Sequence, residues 1–314
     1  MEIRTLKGRD LLSIADLSRD ELRALIELSK HLKSLRRAGI KRLELLSGKV
    51  LGLIFEKHST RTRVSLEVAM RELGGESLYM SSSELQLARG EPIKDTARVL
   101  ERYLDAIAAR VYRHSTLVEL AKYANIPVIN ALSDVEHPLQ ALADVMTIEE
   151  FKGDLRKVKV AFVGDGSDNV LHSLMLAIAK LGGKIYVATA KGYEPRQDVL
   201  KLAQEEANVT GAEIVVTYDP IEAVSNADVV YTDVWVSMGQ ESEREKRIRD
   251  LRHLQVNPEL VKHAKKDYIF MHCLPAHRGE EVVEEVIESE HSVVWDQAEN
   301  RLHTAKAVLI ALLR

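Results

Sequence analysis

Two successive series of short apolar segments, each alternating with stretches of helical periodicity, constrain the fold of this chain more than any other feature. In the first series VLGLIF (50–55), SLYM (77–80), AIAARV (106–111) and PVINAL (127–132) read as strands. In the second, VKVAFVGD (158–165), KIYVAT (184–189), EIVVTY (213–218), DVVYTDV (228–234), YIFMHC (268–273) and SVVWD (292–296) read the same way. Near-continuous apolar runs of this length, separated by helices, describe strands covered on both faces, so the expected fold is α/β with parallel sheets.

The helices between them carry their own punctuation. SRDELRALIELSKHLKSLRRAG (18–39) opens on Ser18 with Glu21 three residues on, the capping-box spacing. Leu22, Leu25, Leu28, Leu32 and Leu35 then recur at helical intervals, and Gly39 ends the segment. STRTRVSLEVAMRELGG (59–75) closes on a Gly pair, a further helical segment spans 137–151, and AENRLHTAKAVLIALLR (298–314) is the last helix. The strand series restarts after FKGDLRK (151–157), which puts a domain boundary near residue 150. The expectation is two doubly wound parallel-sheet domains, 1–150 and 151–298, with an active-site cleft between them and the helix 299–314 packing back on the first. A length of 314 residues suits two ordinary domains.

Several function classes are disfavoured. A net charge of -4 offers no basic excess for nucleic acid or a membrane surface. The longest apolar runs, 158–163 and 305–313, are too short to span a bilayer. MEIRTLKGRD lacks the apolar stretch of a signal peptide, so a cytoplasmic location is expected. The single cysteine, Cys273, rules out a disulfide framework within the chain and argues against a cysteine-based zinc cluster.

Ligands of open α/β sheets bind beyond the carboxyl ends of the strands, so chemistry is sought in those loops. FEKHSTRTR (55–63) leaves a strand and opens a helix. Ser59, Thr60, Arg61 and Thr62 there combine hydroxyls, a guanidinium and unpaired helix N–H groups, which favours a phosphate site over an ordinary capped helix start. Arg63 suits an ion pair equally well and is not assigned to the site. In SSSELQLARGEPIKD (81–95), Gln86 reaches a ligand only if a surface loop folds over a site. Arg110 ends an apolar strand and either turns to solvent or faces a ligand. In DVEHPLQALAD (134–144), Pro138 suits a first helical position and Gln140 lies one turn from His137. An imidazole and an amide so placed match the carbonyl oxygen and NH₂ of an amide-like ligand.

In GDGSDNV (164–170), Val170 occupies the position at which a dinucleotide fingerprint needs its third Gly, and Asn169 is left to bind a polar ligand group. In YTDVWVSMGQE (231–241), Asp233 suits an ammonium, Ser237, Met238 and Gly239 form a candidate lid, and the charged run 241–252 reads as a solvated helix. In MHCLPAHRG (271–279), a Cys273–histidine dyad with His272 or His277 competes with the commoner inert, buried cysteine. Arg301 is either a routine surface arginine or a further phosphate ligand.

Taken together, these motifs resemble the transcarbamylase family over nearly the whole chain. FEKHSTRTR and HPLQ look like its carbamoyl phosphate motifs, and DVWVSMGQE and HCLPAHRGEEV resemble its ornithine branch; the aspartate branch shares the first pair but not the SMG loop. The resemblance implies transfer of a carbamoyl group from carbamoyl phosphate to the δ-amine of L-ornithine, giving L-citrulline and phosphate in arginine metabolism. It implies carbamoyl phosphate contacts from Ser59, Thr60, Arg61, Thr62, Arg110, His137, Gln140 and Arg301, with Gln86 serving a neighbouring subunit. Cys273 and Leu274 would line the carbamoyl end, and Arg61, Arg110, His137 and Cys273 would form the catalytic set. Asn169, Asp233, Ser237 and Met238 would hold ornithine, although GDGSDNV reads as one residue longer than the family form, with Asp168 beside Asn169. It further implies a homotrimer or a multiple of trimers, and a reaction without metal or organic cofactor.

Overall fold

The computed structural model describes residues 6–237 and 239–314. The chain divides into two compact units: one runs through Ala143 and takes back Asn300–Arg314, and the other is Asp144–Glu299.

The first unit holds β1 (Val50–Phe55), β2 (Glu76–Ser81), β3 (Ala106–Arg110) and β4 (Val128–Leu132), all parallel, in the order β2-β1-β3-β4. β3 and β4 are almost wholly buried, whereas the edge strand β2 is half-exposed, as its polar ends anticipate. The helices are α1 (Arg19–Arg37), α2 (Arg61–Glu72), α3 (Ile93–Leu100) and α4 (His114–Tyr123). Ser18 and Glu21 close the expected capping box on α1. Its far end is a Schellman turn: Ile40 N–H donates to Leu35 O and Gly39 N–H to Arg36 O, with Gly39 at φ +91°.

The second unit holds β5 (Lys159–Val163), β6 (Lys184–Ala188), β7 (Glu213–Thr217), β8 (Val229–Thr232) and β9 (Ile269–His272), parallel in the order β7-β6-β5-β8-β9. α6 (Asn169–Leu181), buried from Val170 to Leu181, α7 (Gln197–Thr210) and α9 (Arg244–Leu251) are its main helices, and α8 (Pro220–Val224), α10 (Pro258–Val261) and α11 (Glu284–Ile287) are short. α5 (Pro138–Lys152) and α12 (Val294–Leu313) each begin in one unit and end in the other. Among the described residues no helix is long and apolar enough to cross a membrane.

Strand order identifies the two loops that matter. From β1 the chain first steps to β2 on one side and later to β3 and β4 on the other; from β5 it steps to β6 and β7, then to β8 and β9. β1 and β5 are therefore the topological switch points, where neighbouring connections diverge and leave room for a ligand. The loops leaving them are those that carry STRTR and GDGSDNV.

Two expectations are corrected. SVVWD is not a strand: Phe270 N–H donates to His291 O and Val293 N–H to Phe270 O, a single bridge beside β9, after which the chain enters α12 at Val294. A three-residue apolar run is equally compatible with a buried helix start, and here the helix prevails. The run 241–252 is not wholly solvated either, since Arg247 and Leu251 of α9 are buried.

Candidate active site

In the first unit the candidate residues converge at the carboxyl end of one sheet. Arg110, the last residue of β3, sits in register with Phe55 of β1 and with Leu132 of β4, so the loops bearing STRTR and His137 leave beside it. The register slips between Ala109 and Arg110, and Leu132 takes φ +151°. α2 starts without a side-chain cap from Thr60, which is exposed, while Ser59 Oγ accepts from Thr62 N–H at 3.3 Å. Arg301 of α12 is 3% exposed and ties the cluster together. Its guanidinium donates to Gln140 Oε1 at 2.5 Å and to Thr62 Oγ1 at 3.1 Å. Arg301 is thus no routine surface arginine.

His137 immediately precedes α5, whose first residue is Pro138. Burial, then the positive charges of Arg301, Arg110 and Arg61, push its pKa well below the ordinary 6.5. All three guanidiniums therefore act on one imidazole, which is neutral near pH 7 and remains able to donate a hydrogen bond without surrendering its proton. Arg63 points elsewhere: it pairs with Glu67 at 2.9 Å and stacks on Tyr79 at 3.6 Å. Gln86 is exposed on the turn Gln86–Arg89.

The second unit builds the opposite polarity. Asp168 caps α6: one carboxylate oxygen accepts from Val170 N–H at 2.8 Å and from Leu171 N–H at 2.9 Å. Its other oxygen is buried without a partner among the described residues. Burial and the Asp233 carboxylate push the Asp168 pKa well above its ordinary value. Asp233, just past β8, is also buried and shifted upward, mainly by desolvation, and the Cys273 thiol hydrogen-bonds to it. Two buried carboxyl groups acting on each other call for a cation beside them. Asn169, the first residue of α6, is half-buried, as is Ser237, whose N–H donates to Gln240 Oε1 at 3.1 Å. Met238 lies outside the described residues.

His272 does not form a dyad with Cys273. Burial and the charges of Asp233 and Asp168 push the thiol well above its usual range, so it stays protonated and is a poor nucleophile. His272 is engaged on both sides: Nδ1 accepts Leu274 N–H at 2.9 Å and Nε2 lies 3.1 Å from Glu281 Oε1. That pattern puts its proton on Nε2 and leaves no ring nitrogen for the thiol. Leu274, held in this way, adopts φ +60°, a conformation costly for a branched side chain and characteristic of functional sites.

Several residues that position the site carry no sequence signal. Asn130 donates to Leu12 O at 2.8 Å and to Glu136 O at 3.1 Å, shaping the turn before His137. Buried Gln297 accepts from His272 N–H at 3.0 Å and donates to Asp144 Oδ1 at 2.7 Å and Tyr231 Oη at 3.0 Å. Arg247 donates to Asp165 Oδ2 at 2.6 Å and to Trp235 O at 3.3 Å, tying the segment after Asp233 to the loop after β5. A charged run conceals such a residue, because its partner lies 82 positions away.

Both units have counterparts among known proteins. Residues 9–150 match the family model of the aspartate/ornithine carbamoyltransferase carbamoyl-P binding domain, and residues 156–312 match that of the Asp/Orn binding domain. The ornithine carbamoyltransferase of Staphylothermus marinus is 59% identical over 312 residues, covering 99% of each chain. The anabolic ornithine carbamoyltransferase of Pyrococcus furiosus is 58% identical over 98% of each. The solved ornithine carbamoyltransferase structure from Pyrococcus furiosus superposes with a TM-score of 0.94 over 98% of both chains at 58% identity. That from Thermus thermophilus does so at 0.87, over 97% of this chain and 99% of its own, at 49% identity. With each half of the sequence matched to its domain and near-complete relatives well above half identical, the chain belongs to the aspartate/ornithine carbamoyltransferase family.

Proposed function

We propose that this chain is an enzyme that transfers the carbamoyl group of carbamoyl phosphate to the δ-amine of L-ornithine, releasing L-citrulline and phosphate. The observation that carries the reading is the convergence of Arg61, Arg110 and Arg301 on a buried, neutral His137, in the unit opposite in polarity to the one that buries Asp168 and Asp233. A site of three guanidiniums suits a phosphorylated substrate, and a buried acidic pair suits the α-ammonium of an amino acid.

In this reading Ser59, Thr60, Arg61 and Thr62 grip the phosphate together with Arg110 and Arg301. His137, Arg110 and Thr62 donate to the carbonyl oxygen as it gains charge, which is the largest expected catalytic contribution. Gln140, Cys273 and Leu274 line the carbamoyl end. Asn169, Asp233, Ser237 and Met238 hold the α-amine and α-carboxylate of ornithine, and an ammonium bound beside the Asp168 and Asp233 carboxyls would favour their ionisation. The neutral δ-nitrogen forms a bond to the carbonyl carbon, the carbon–oxygen bond to phosphate breaks, and the nitrogen's proton leaves on the phosphate. Written so, the step balances without metal or organic cofactor.

The anabolic designation of the Pyrococcus furiosus relative supports a role in arginine biosynthesis. The free Cys273 suits a reducing, cytoplasmic compartment. Exposed Gln86 supports a homotrimer or multiple of trimers in which it serves a neighbouring subunit, to be checked by light scattering of the purified protein. The decisive experiment is a ureido-product assay with carbamoyl phosphate and a panel of ornithine, acetylornithine, putrescine and aspartate. Product from ornithine alone is expected; preference for another amine overturns the substrate, and product from none overturns the reaction.

A further inference from the structure

Beyond β9, the turn His277–Glu281 brings together three donor atoms that neither the fold nor the proposed reaction uses. His277 Nδ1 lies 3.9 Å from Glu280 Oε2 and 4.0 Å from Glu281 Oε2, and the three atoms all lie within 4.8 Å of one another. Each of the three is shielded from solvent and has no hydrogen-bond partner among the described residues. Glu281 is 0% exposed, yet half of its carboxylate is spoken for and half is not. Oε1 accepts from His277 N–H at 2.6 Å and faces His272 Nε2 at 3.1 Å, while Oε2 points at the imidazole and at Glu280. Burying a carboxylate oxygen without a partner is costly, and aiming a second carboxylate oxygen at it raises the cost.

We propose that this turn is a binding site for a divalent transition-metal ion of the zinc type, held by His277 Nδ1, Glu280 Oε2 and Glu281 Oε2. One nitrogen and two carboxylate oxygens suit zinc or cobalt better than calcium or magnesium, which prefer all-oxygen shells. Bonds of about 2.0–2.2 Å put tetrahedral ligands roughly 3.3 Å apart, so closing the present separations takes movements of roughly half an ångström to an ångström. The turn is already braced, by Glu280 N–H on His277 O at 2.9 Å and Gly279 N–H on Val282 O at 2.8 Å. Arg244 engages the other oxygen of Glu280 and offsets one of the two negative charges, which leaves the site dependent on the imidazole. Because Glu281 also holds His272, a bound ion would stiffen the segment that shapes Leu274.

Chelator-treated protein is titrated with Zn²⁺ by calorimetry and with Co²⁺ by absorption spectroscopy. One equivalent is expected, with a Co²⁺ spectrum lacking the thiolate charge-transfer band that ligation by Cys273 would produce. His277→Ala, at a side chain 42% exposed, is expected to fold and to weaken binding at least about tenfold. Glu280→Gln is expected to weaken it in the same direction. Absence of binding, a spectrum showing thiolate ligation alone, or affinity unchanged in both variants overturns the proposal.

Discussion

The two units are variations on one plan with opposite electrostatic preference. In each, a parallel sheet presents a loop at its topological switch point, and each loop opens a helix, α2 after β1 and α6 after β5. Around the first gather Arg61, Arg110 and Arg301, and the imidazole among them is driven to lose its proton. Around the second gather Asp168, Asp233 and Cys273: burial raises all three pKa values, and the Asp233 charge raises those of Asp168 and Cys273 further. The backbone plan supplies a position for a ligand; the side chains at the strand ends decide the sign of the ligand it accepts.

This contrast can be broken most directly at Arg61. Arg61→Ala is expected to lower turnover about 10²- to 10³-fold, the usual loss for one donor to developing charge, while far-ultraviolet circular dichroism stays unchanged. Near-normal turnover from a folded variant would remove the first unit's claim on the phosphate.

Asp233→Ala tests the other side. Loss of a charge-assisted contact is expected to raise the ornithine KM by about 10- to 100-fold with little change in that for carbamoyl phosphate. Equal rises in both would mean that the units do not divide the substrates between them.

The pH dependence of stability sharpens the comparison because the two signs differ. The folded-state pKa of His137 lies below its unfolded value of 6.5, so the unfolded chain binds the extra proton and stability falls as pH drops below 6.5. For Asp168 and Asp233 the folded values lie above 3.8, so their contribution is fully present below that value and is lost as pH rises through the folded range. Each group contributes a slope of up to about 1.4 kcal/mol per pH unit inside its window. Urea denaturation across pH is expected to show the acid-side loss reduced in His137→Gln and the rising-pH loss reduced in Asp233→Asn. Matching slopes in the two variants would contradict the opposed polarities.

The smallest effect is expected at Arg63. An exposed ion pair with Glu67 and a stack on Tyr79 are together worth about 1 kcal/mol, so Arg63→Ala should shift the urea midpoint slightly and leave turnover within about twofold. A loss as deep as that of Arg61→Ala would extend the phosphate cluster to the second arginine of STRTR.

Much of the fold was legible in the residues. The capping box at Ser18 and Glu21, the terminating Gly39 and the apolar runs of β1, β3, β5 and β8 all follow from local propensity and period. SVVWD reads as a strand but enters a helix, because three apolar residues do not distinguish a strand from a helix entering a core. The candidate site was legible as a set of residue types at strand ends. Its supports were not: Asn130, Gln297 and the Arg247–Asp165 pair act across distances in the chain that no local pattern records.

Composition and spacing alone placed hydroxyls and arginines after β1 and a carboxylate after β8, since strand period and helix punctuation are local properties of the chain. Protonation was settled by tertiary structure. A histidine made neutral by burial and by Arg301, which lies 164 positions further along the chain, and a thiol kept protonated by burial, Asp233 and Asp168 depend on surroundings the sequence keeps far apart. Coulomb energy and desolvation are functions of distance in space, and folding supplies those distances.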